Sequence, residues 1–554
     1  MVGGLDGATC GREPVTEDSL GDRVGRVTGS EMSSPSTAPP SSGPAGPGAR
    51  ASVFAVPLLG YLAGVQGAGG NLASTALVGA SRSLDMTGST QALAASMQSL
   101  AIAATVITTG LLADRLGRRR VLLAALVVGA VGNVIVAAAP VAAVYMLGMA
   151  VAGIGLGAVY GSAFAYIKAV VPLRGLAAAM GLFTAVLMVG TLVLTFVGGS
   201  LSSIDWRLAF VVAPVACLLG LAAVPIVLPR VDPVRGGSLD VVGQLLLGFG
   251  VVAFLYAVSG FADGLTSPRT LVPLCVGVVL LAAFVGWELR YDGHFFPMEL
   301  FRSPVFLAAL CFGFVYNFGT SVAFLQVTNL WQYVNGLGTS EVSLWQLPLL
   351  LAGVGSGLVT GRLMARGMSD RTAGFLGGVT AAVGFVWLGL FHASTSLLGF
   401  APGLLLVGAG VVITAVPFGN LILRVAPAQY LGPVSSTRMT AGQFFYALGF
   451  ALSTVVVDKL TTGGVVRRLE AVGVPADEIG TGLSAVNTFA ARGTRPSTQL
   501  GQEALANAVT SYGTAFRTTM LLAAVAIVLV TVLATGLLRN RTGSGTDTPA
   551  PASA

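Results

Sequence analysis

The chain has 554 residues, of which 54% are hydrophobic and 10% charged, and its mean hydropathy is +0.83. Soluble domains carry about 25% charged residues, so this chain cannot cover a globular surface in water and most of it must face lipid. The formal net charge is +7, yet only Lys168 and Lys459 are lysines. The remaining basic residues are arginines gathered in short segments, a pattern of membrane topology that argues against nucleic-acid binding.

Residues 1–50 are rich in Ser, Pro and Gly and too poor in apolar side chains to fold alone. Together with 541–554 they are expected to form disordered cytoplasmic tails. No cleavable leader pattern opens the chain, so the apolar run after Ala51 is expected to remain as a first spanning helix. A spanning helix needs about 20 apolar residues. Such runs occur fourteen times, at roughly 53–79, 89–113, 120–139, 141–168, 174–199, 207–228, 240–262, 270–290, 304–332, 341–366, 371–392, 396–424, 431–457 and 513–538. Arg115 to Arg120, Lys168 and Arg174, Arg230 and Arg235, Arg290 and Arg302, Arg362 to Arg371, and Arg539 and Arg541 fall on one side. The short connections on the other side hold Arg82, Arg207 or Arg269. Positive charge collects in cytoplasmic loops, so both termini are expected inside a plasma membrane. The segment 458–512 reads as a long outer loop, with amphipathic parts at 465–472 and 500–512 that could lie on the surface or build a small cap.

The densest charge between the tails is Gly110–Leu122, reading GLLADRLGRRRVL, with Asp114 among Arg115, Arg118, Arg119 and Arg120. Gly361–Gly367, GRLMARG, echoes it on another inner loop, with Arg366 where Arg115 stands and Ala365 at the aspartate position. A copied element at corresponding places in two halves marks a transporter built of repeats. The expected architecture is therefore all-α: a six-helix bundle over 51–230, two inserted helices over 231–302, and a second six-helix bundle over 303–540.

The residues Gly110, Leu112, Ala113, Asp114, Arg115, Gly117, Arg118 and Arg119 resemble the loop after the second helix of the major facilitator superfamily. Trp206-Arg207-Leu208-Ala209-Phe210 after Gly198-Gly199, and Ser435-Ser436-Thr437-Arg438 with Gly442 and Ala447-Leu448-Gly449, resemble its fourteen-helix drug:proton antiporter branch. The resemblance implies that Gly110, Asp114, Arg115, Gly117, Arg118 and Arg366 belong to a gating latch, in which Asp114 pairs with a nearby Arg and caps a helix of the other bundle. The alternative for the same charges is topology alone. Three positions depart from the branch. Gln66 stands where the first helix carries an acid, five residues before Asn71. Met149-Ala150-Val151-Ala152-Gly153 lacks the usual Arg and Gln, and Leu194-Thr195-Phe196-Val197-Gly198-Gly199 lacks the Gly-Pro.

Proton coupling needs a titrating group inside the membrane. Asp263, Glu288, Glu341 and Asp458 lie at the ends of runs, while His294 and His392 lie in loops. Coupling is therefore doubtful, and a neutral cavity disfavours strongly cationic cargo. Polar side chains inside spans face the bundle interior, which selects Gln66, Asn71, Gln98, Asn317, Gln326, Asn329 and Arg438 as substrate contacts, with interhelical hydrogen bonding as the competing role. Tyr316, Trp331, Trp345, Phe444, Phe445 and Tyr446 read either as an aromatic wall or as packing. The glycines of the fourth run have no preceding strand, so they read as close helix packing rather than a dinucleotide site. Cys10, Cys217, Cys275 and Cys311 show neither metal spacing nor a disulfide framework. No metal, cofactor or catalytic cluster is expected. The expected function is export of small hydrophobic or amphipathic compounds by alternating access, compatible with a monomer. The rival is a non-transporting receptor or assembly partner of the same fold.

Overall fold

The computed structural model describes residues 47–86, 88–231, 240–259, 267–290, 298–337, 339–390, 396–427, 430–492 and 495–539. The two tails lie outside these, apart from the last residues before the first run. Every regular element among the described residues is helical. Thirteen helices among the described residues are long and apolar enough to cross a membrane. They follow in order the second to fourteenth expected spans. The first expected span falls on α1 (Pro47–Ser83), a 37-residue helix outside that set of thirteen.

The first half continues with α2 (Gly88–Leu116), α3 (Arg118–Ala137), α4 (Ala142–Val170), α5 (Leu176–Ser202), the short α6 (Trp206–Ala209) and α7 (Val212–Val227). The inserted pair is α8 (Val241–Ser259) and α9 (Pro268–Glu288). The second half holds α10 (Pro304–Asn329), α11 (Thr339–Trp345), α12 (Leu347–Ala365), α13 (Asp370–Leu390), α14 (Leu397–Val425), α15 (Leu431–Ala471), α16 (Ala476–Arg492) and α17 (Gln499–Leu537).

The helix pairings repeat between halves. The packed pairs α3–α4, α2–α4, α1–α5, α3–α7 and α1–α7 are matched by α13–α14, α12–α14, α10–α15, α13–α17 and α10–α17. The packed pairs that join the halves exchange under the same correspondence, α2–α15 with α5–α12 and α4–α15 with α5–α14. Lipid tails are as apolar as leucine, so such helices associate through close packing of small residues. A Cβ on Gly155 of α4 would stand 2.2 Å from the backbone of Gly129 on α3, and one on Gly410 of α14 would stand 2.2 Å from Ala381 on α13. This close approach accounts for the glycines of the fourth run.

The end of the bundle that carries Asp114 to Arg120 is called the motif end below. Near it, one buried apolar cluster runs across both halves and includes Phe164, Met180, Phe183, Phe306, Phe312 and Phe418. Toward the far end the core divides. Tyr145, Trp206 and Phe210 belong to a cluster of the first half, and Trp331, Phe385, Phe400 and Phe516 to a cluster of the second.

Among its described residues the segment 458–512 is mostly helical rather than a loop. α15 runs unbroken for 41 residues, and its end packs with α16 and the start of α17 around Val465, Leu469, Ile479, Ala504 and Ala508. The smaller of the expected alternatives, a cap with its own apolar core, is what forms. Amphipathic faces at 465–472 and 500–512 bury each other, which a solvated loop would leave in water at a cost.

Candidate functional site

α2 and α3 meet in a turn of one residue, Gly117, whose φ is +93°. A Cβ is disfavoured in that region, so the glycine is what allows the chain to reverse between two long helices. The turn places Asp114 on the last turn of α2 beside Arg118 on the first turn of α3. The carboxylate Oδ1 accepts from Arg118 Nη2 at 2.8 Å and Nε at 3.0 Å, and Nη1 donates to the Ala165 carbonyl of α4 at 3.3 Å. Both side chains are buried. Arg119 Nη2 donates to the Pro225 carbonyl of α7 at 2.9 Å. Gly110 and Gly117 are buried, Arg115 is half-buried and Arg366 is exposed. The charges of this loop therefore tie α2, α3, α4 and α7 together, beyond marking a membrane face.

The second half builds the same corner with different residues. Gly367 repeats the turn at φ +115°. The position matching Asp114 is Ala365, and the carboxylate comes instead from Asp370, the first residue of α13. Asp370 Oδ1 accepts from Asn420 Nδ2 at 2.6 Å, and Oδ2 pairs with Arg424 Nη1 at 3.1 Å. Sequence reading missed Asp370 because it searched the copied motif itself. The signal was available as an Asp immediately after the loop, at a helix start where a carboxylate is favoured.

At the seam the halves meet backbone to backbone. A Cβ on Gly181 of α5 would lie 2.5 Å from the Gly357 carbonyl and 2.7 Å from Gly361 Cα, both on α12. Lys168 Nζ, at the end of α4, donates to the Ala426 carbonyl just past α14 at 2.7 Å. Arg438 of α15 reaches into the first half. Its Cζ stands 4.5 Å from the ring centre of Phe164, 6.0 Å from that of Phe183 and 5.3 Å from that of Phe418, with Met180 Sδ 4.0 Å from Nη1. All of these contacts lie toward the motif end.

The other expected contacts separate into two groups. Gln66 is buried on α1. Asn71 donates to Thr195 Oγ1 of α5 at 3.2 Å. Asn317 on α10 donates to Gly313 and sits 3.2 Å from where a Gly442 Cβ would stand on α15. The remaining three, like Asn71, are packed against helices of their own half. The Gln98 side-chain nitrogen lies 2.5 Å from a Cβ position on Gly69, and its backbone carbonyl 2.5 Å from one on Gly153, so α2 is wedged there between α1 and α4. Gln326 is fully buried, donating to Ser453 Oγ at 3.0 Å and accepting from Tyr512 at 3.5 Å. Asn329 also bonds Tyr512. Gln326 and Asn329 make interhelical hydrogen bonds, the role that competed with the cavity one, and Gln98 is buried between α1 and α4.

Of the expected aromatic wall, Trp331 is fully buried within the second half against Phe400 at 5.7 Å. Phe444 and Phe445 line an apolar recess of about 380 Å³ with Ile107, Val251, Phe254 and Leu310, where α2, the inserted pair, α10 and α15 converge. The inserted pair has its own buried acid, Asp240, whose Oδ1 accepts from Gly243 N and from Trp287 Nε1, both at 2.9 Å. Sequence reading passed over Asp240, the first residue of the apolar run 240–262. Among the described residues no group of three or more His, Cys, Asp or Glu could hold a metal ion.

Residues 59–450 match the Major Facilitator Superfamily. The chain belongs to that superfamily. It is 29% identical over 371 residues to an uncharacterized MFS-type transporter of Mycobacterium tuberculosis, covering 66% of this chain and 53% of the relative. It therefore spans about half the length of that relative. It is also 29% identical over 363 residues to multidrug resistance protein Stp of M. tuberculosis, covering 64% of this chain and 66% of that protein. Among solved structures, the proton:xylose symporter XylE aligns with a TM-score of 0.54 at 12% identity, over 86% of this chain and 95% of that one, a likeness of fold.

Proposed function

We propose that the protein exports small hydrophobic or amphipathic compounds, drug-like molecules, lipids or secondary metabolites, by alternating access across a plasma membrane. The motif end faces the cytoplasm, as do both termini. The observation that carries this reading is the core that joins the two repeat-related halves at the motif end and divides toward the far end. A rocking motion of the halves about such a seam opens either end in turn. The similarity to multidrug resistance protein Stp supports a drug-like cargo. Gly110, Asp114, Arg115, Gly117 and Arg118 hold the first corner, with Arg366 outside its counterpart. Gln66, Asn71, Asn317 and Arg438 are the residues offered to cargo.

Proton coupling is absent from this proposal, because Gln66 occupies the acid position of the first helix. That same residue is what favours the rival, a non-transporting receptor of this fold. Dye efflux from proteoliposomes, with and without an imposed pH gradient, separates them. Efflux above protein-free vesicles at equal rates in both conditions is expected. A rate equal to that of protein-free vesicles rejects the exporter and favours the receptor, whereas dependence on the gradient restores coupling.

A further inference from the structure

Arg438 lies two turns into α15 from the motif end and is 3% exposed. A guanidinium withdrawn from water ordinarily takes a carboxylate partner. Among the described residues, its recorded partners are three arene faces and a thioether. Phe164, Met180 and Phe183 belong to the first half, and Phe418 to its own. Room for the head group is made by Gly419, where a Cβ would stand 2.6 Å from Nη1. Weak hydration lets a guanidinium rest on rings in this way. Rings, however, supply no lone pairs in the plane of the five N–H donors, and a planar or tetrahedral oxyanion does.

The cage is shared across the seam, so separating the halves at the motif end removes three of its four members. Arg438 then faces the opening with its donors unclaimed. Tyr160 (stacked on Phe164 at 6.3 Å) and Asn317 beside Gly442 stand close to the same seam. We infer that Arg438 is the recognition group for an anionic cargo. The class is a small amphipathic organic acid, whose carboxylate, sulfonate or phosphate pairs with the guanidinium while its apolar body lies among the surrounding rings. The inference rests on the exporter reading above and narrows its substrate. Cage and anion are alternative partners of one cation. Closing the motif end returns the guanidinium to the rings and loosens its hold on the anion, which leaves by the far end.

The test uses the full chain in lipid nanodiscs, titrated with dansylglycine and with its uncharged amide. Dansylglycine is expected to bind at least about tenfold more tightly, the factor that one hydrogen-bonded charge supplies. Arg438→Gln brings the acid-to-amide ratio to about one. Phe418→Leu removes a ring and keeps the cation, so it raises acid affinity about two- to fivefold. Equal affinity for acid and amide in the unmodified chain overturns the inference, as does a preference that survives Arg438→Gln. Should Arg438→Gln fail to fold, an acid affinity that does not rise in Phe418→Leu overturns it. Flux of the same two probes through proteoliposomes is read separately. Acid-selective binding without flux removes the exporter and leaves the Arg438 site standing, whereas equal flux of both probes removes the site and leaves the exporter.

Discussion

The glycine contact between α5 and α12 gives the sharpest perturbation of the proposed rocking equilibrium. In Gly181→Ala the new methyl would sit 2.5 Å from the Gly357 carbonyl and 2.7 Å from Gly361 Cα. Ordinary carbon contacts need about 3.5–4.0 Å, so the helices must part by roughly 1 Å. The nearest atoms it meets all belong to α12, so the first half keeps its own packing and the strain falls on the seam. Overpacking of this kind costs about 1–3 kcal/mol, which corresponds to a shift of about 5- to 150-fold in the ratio of closed to open motif ends. Gly355→Ala is the control, since a Cβ there meets nothing within 4 Å although it lies on the same α12. The assay is spin-label distance measurement between cysteines at Arg120 and Ser369, after the four native cysteines are replaced by serine. Gly181→Ala should add or enlarge a long-distance population, and Gly355→Ala should leave the distribution unchanged. An unchanged distribution in Gly181→Ala, or an equal shift in both variants, refutes the reasoning.

Asp114→Asn leaves Arg118 buried without its carboxylate. Breaking such a pair costs about 3–5 kcal/mol, seen as a lower melting temperature. On the latch reading, flux also falls at least tenfold, and unchanged flux in a folded variant reduces the loop to topology. Gly117→Ala forces a side chain into φ +93° and should cost about 1–2 kcal/mol, read in the same melt. Gln326→Met removes bonds to Ser453 and Tyr512. It should cost about 0.6 kcal/mol, with a ceiling near 1.7, and should leave the pattern of transported compounds unmoved.

Hydropathy made the fold readable. Spanning runs are long, their loops carry one sign of charge, and the expected spans coincide with the long helices. The repeat was equally legible from GLLADRL and GRLMARG. What hydropathy cannot distinguish is which buried surface a polar side chain meets. Gln326 and Asn329 are as polar as Gln66, yet they bond between helices inside one half, as Asn71 does. Pairing between helices distant in sequence decides that, and a single span carries no record of its partners. The segment 458–512 misled for a related reason. Its helices satisfy one another, so each alone has too little apolar surface to announce itself. Asp370 and Asp240 escaped because both stand at helix starts, where a charge reads as loop. Arg438 was visible as an anomaly in an apolar run, but its aromatic cage comes from α4, α5 and α14 and could be assembled only in three dimensions.

α15 also acts as a lever. At about 1.5 Å per residue, its 41 residues extend some 60 Å, twice the hydrocarbon thickness of about 30 Å. One end holds Arg438 at the seam, and the other is clamped into the small helical cap. A tilt of about 10° pivoted near the bilayer centre, about 15 Å from the seam end, would swing the cap end, about 45 Å away, sideways by roughly 8 Å. Displacement at the internal gate is thereby reported on the distant surface. An antibody fragment that gripped the cap in one position would hold the protein still and, on the exporter reading, stop flux without entering the passage.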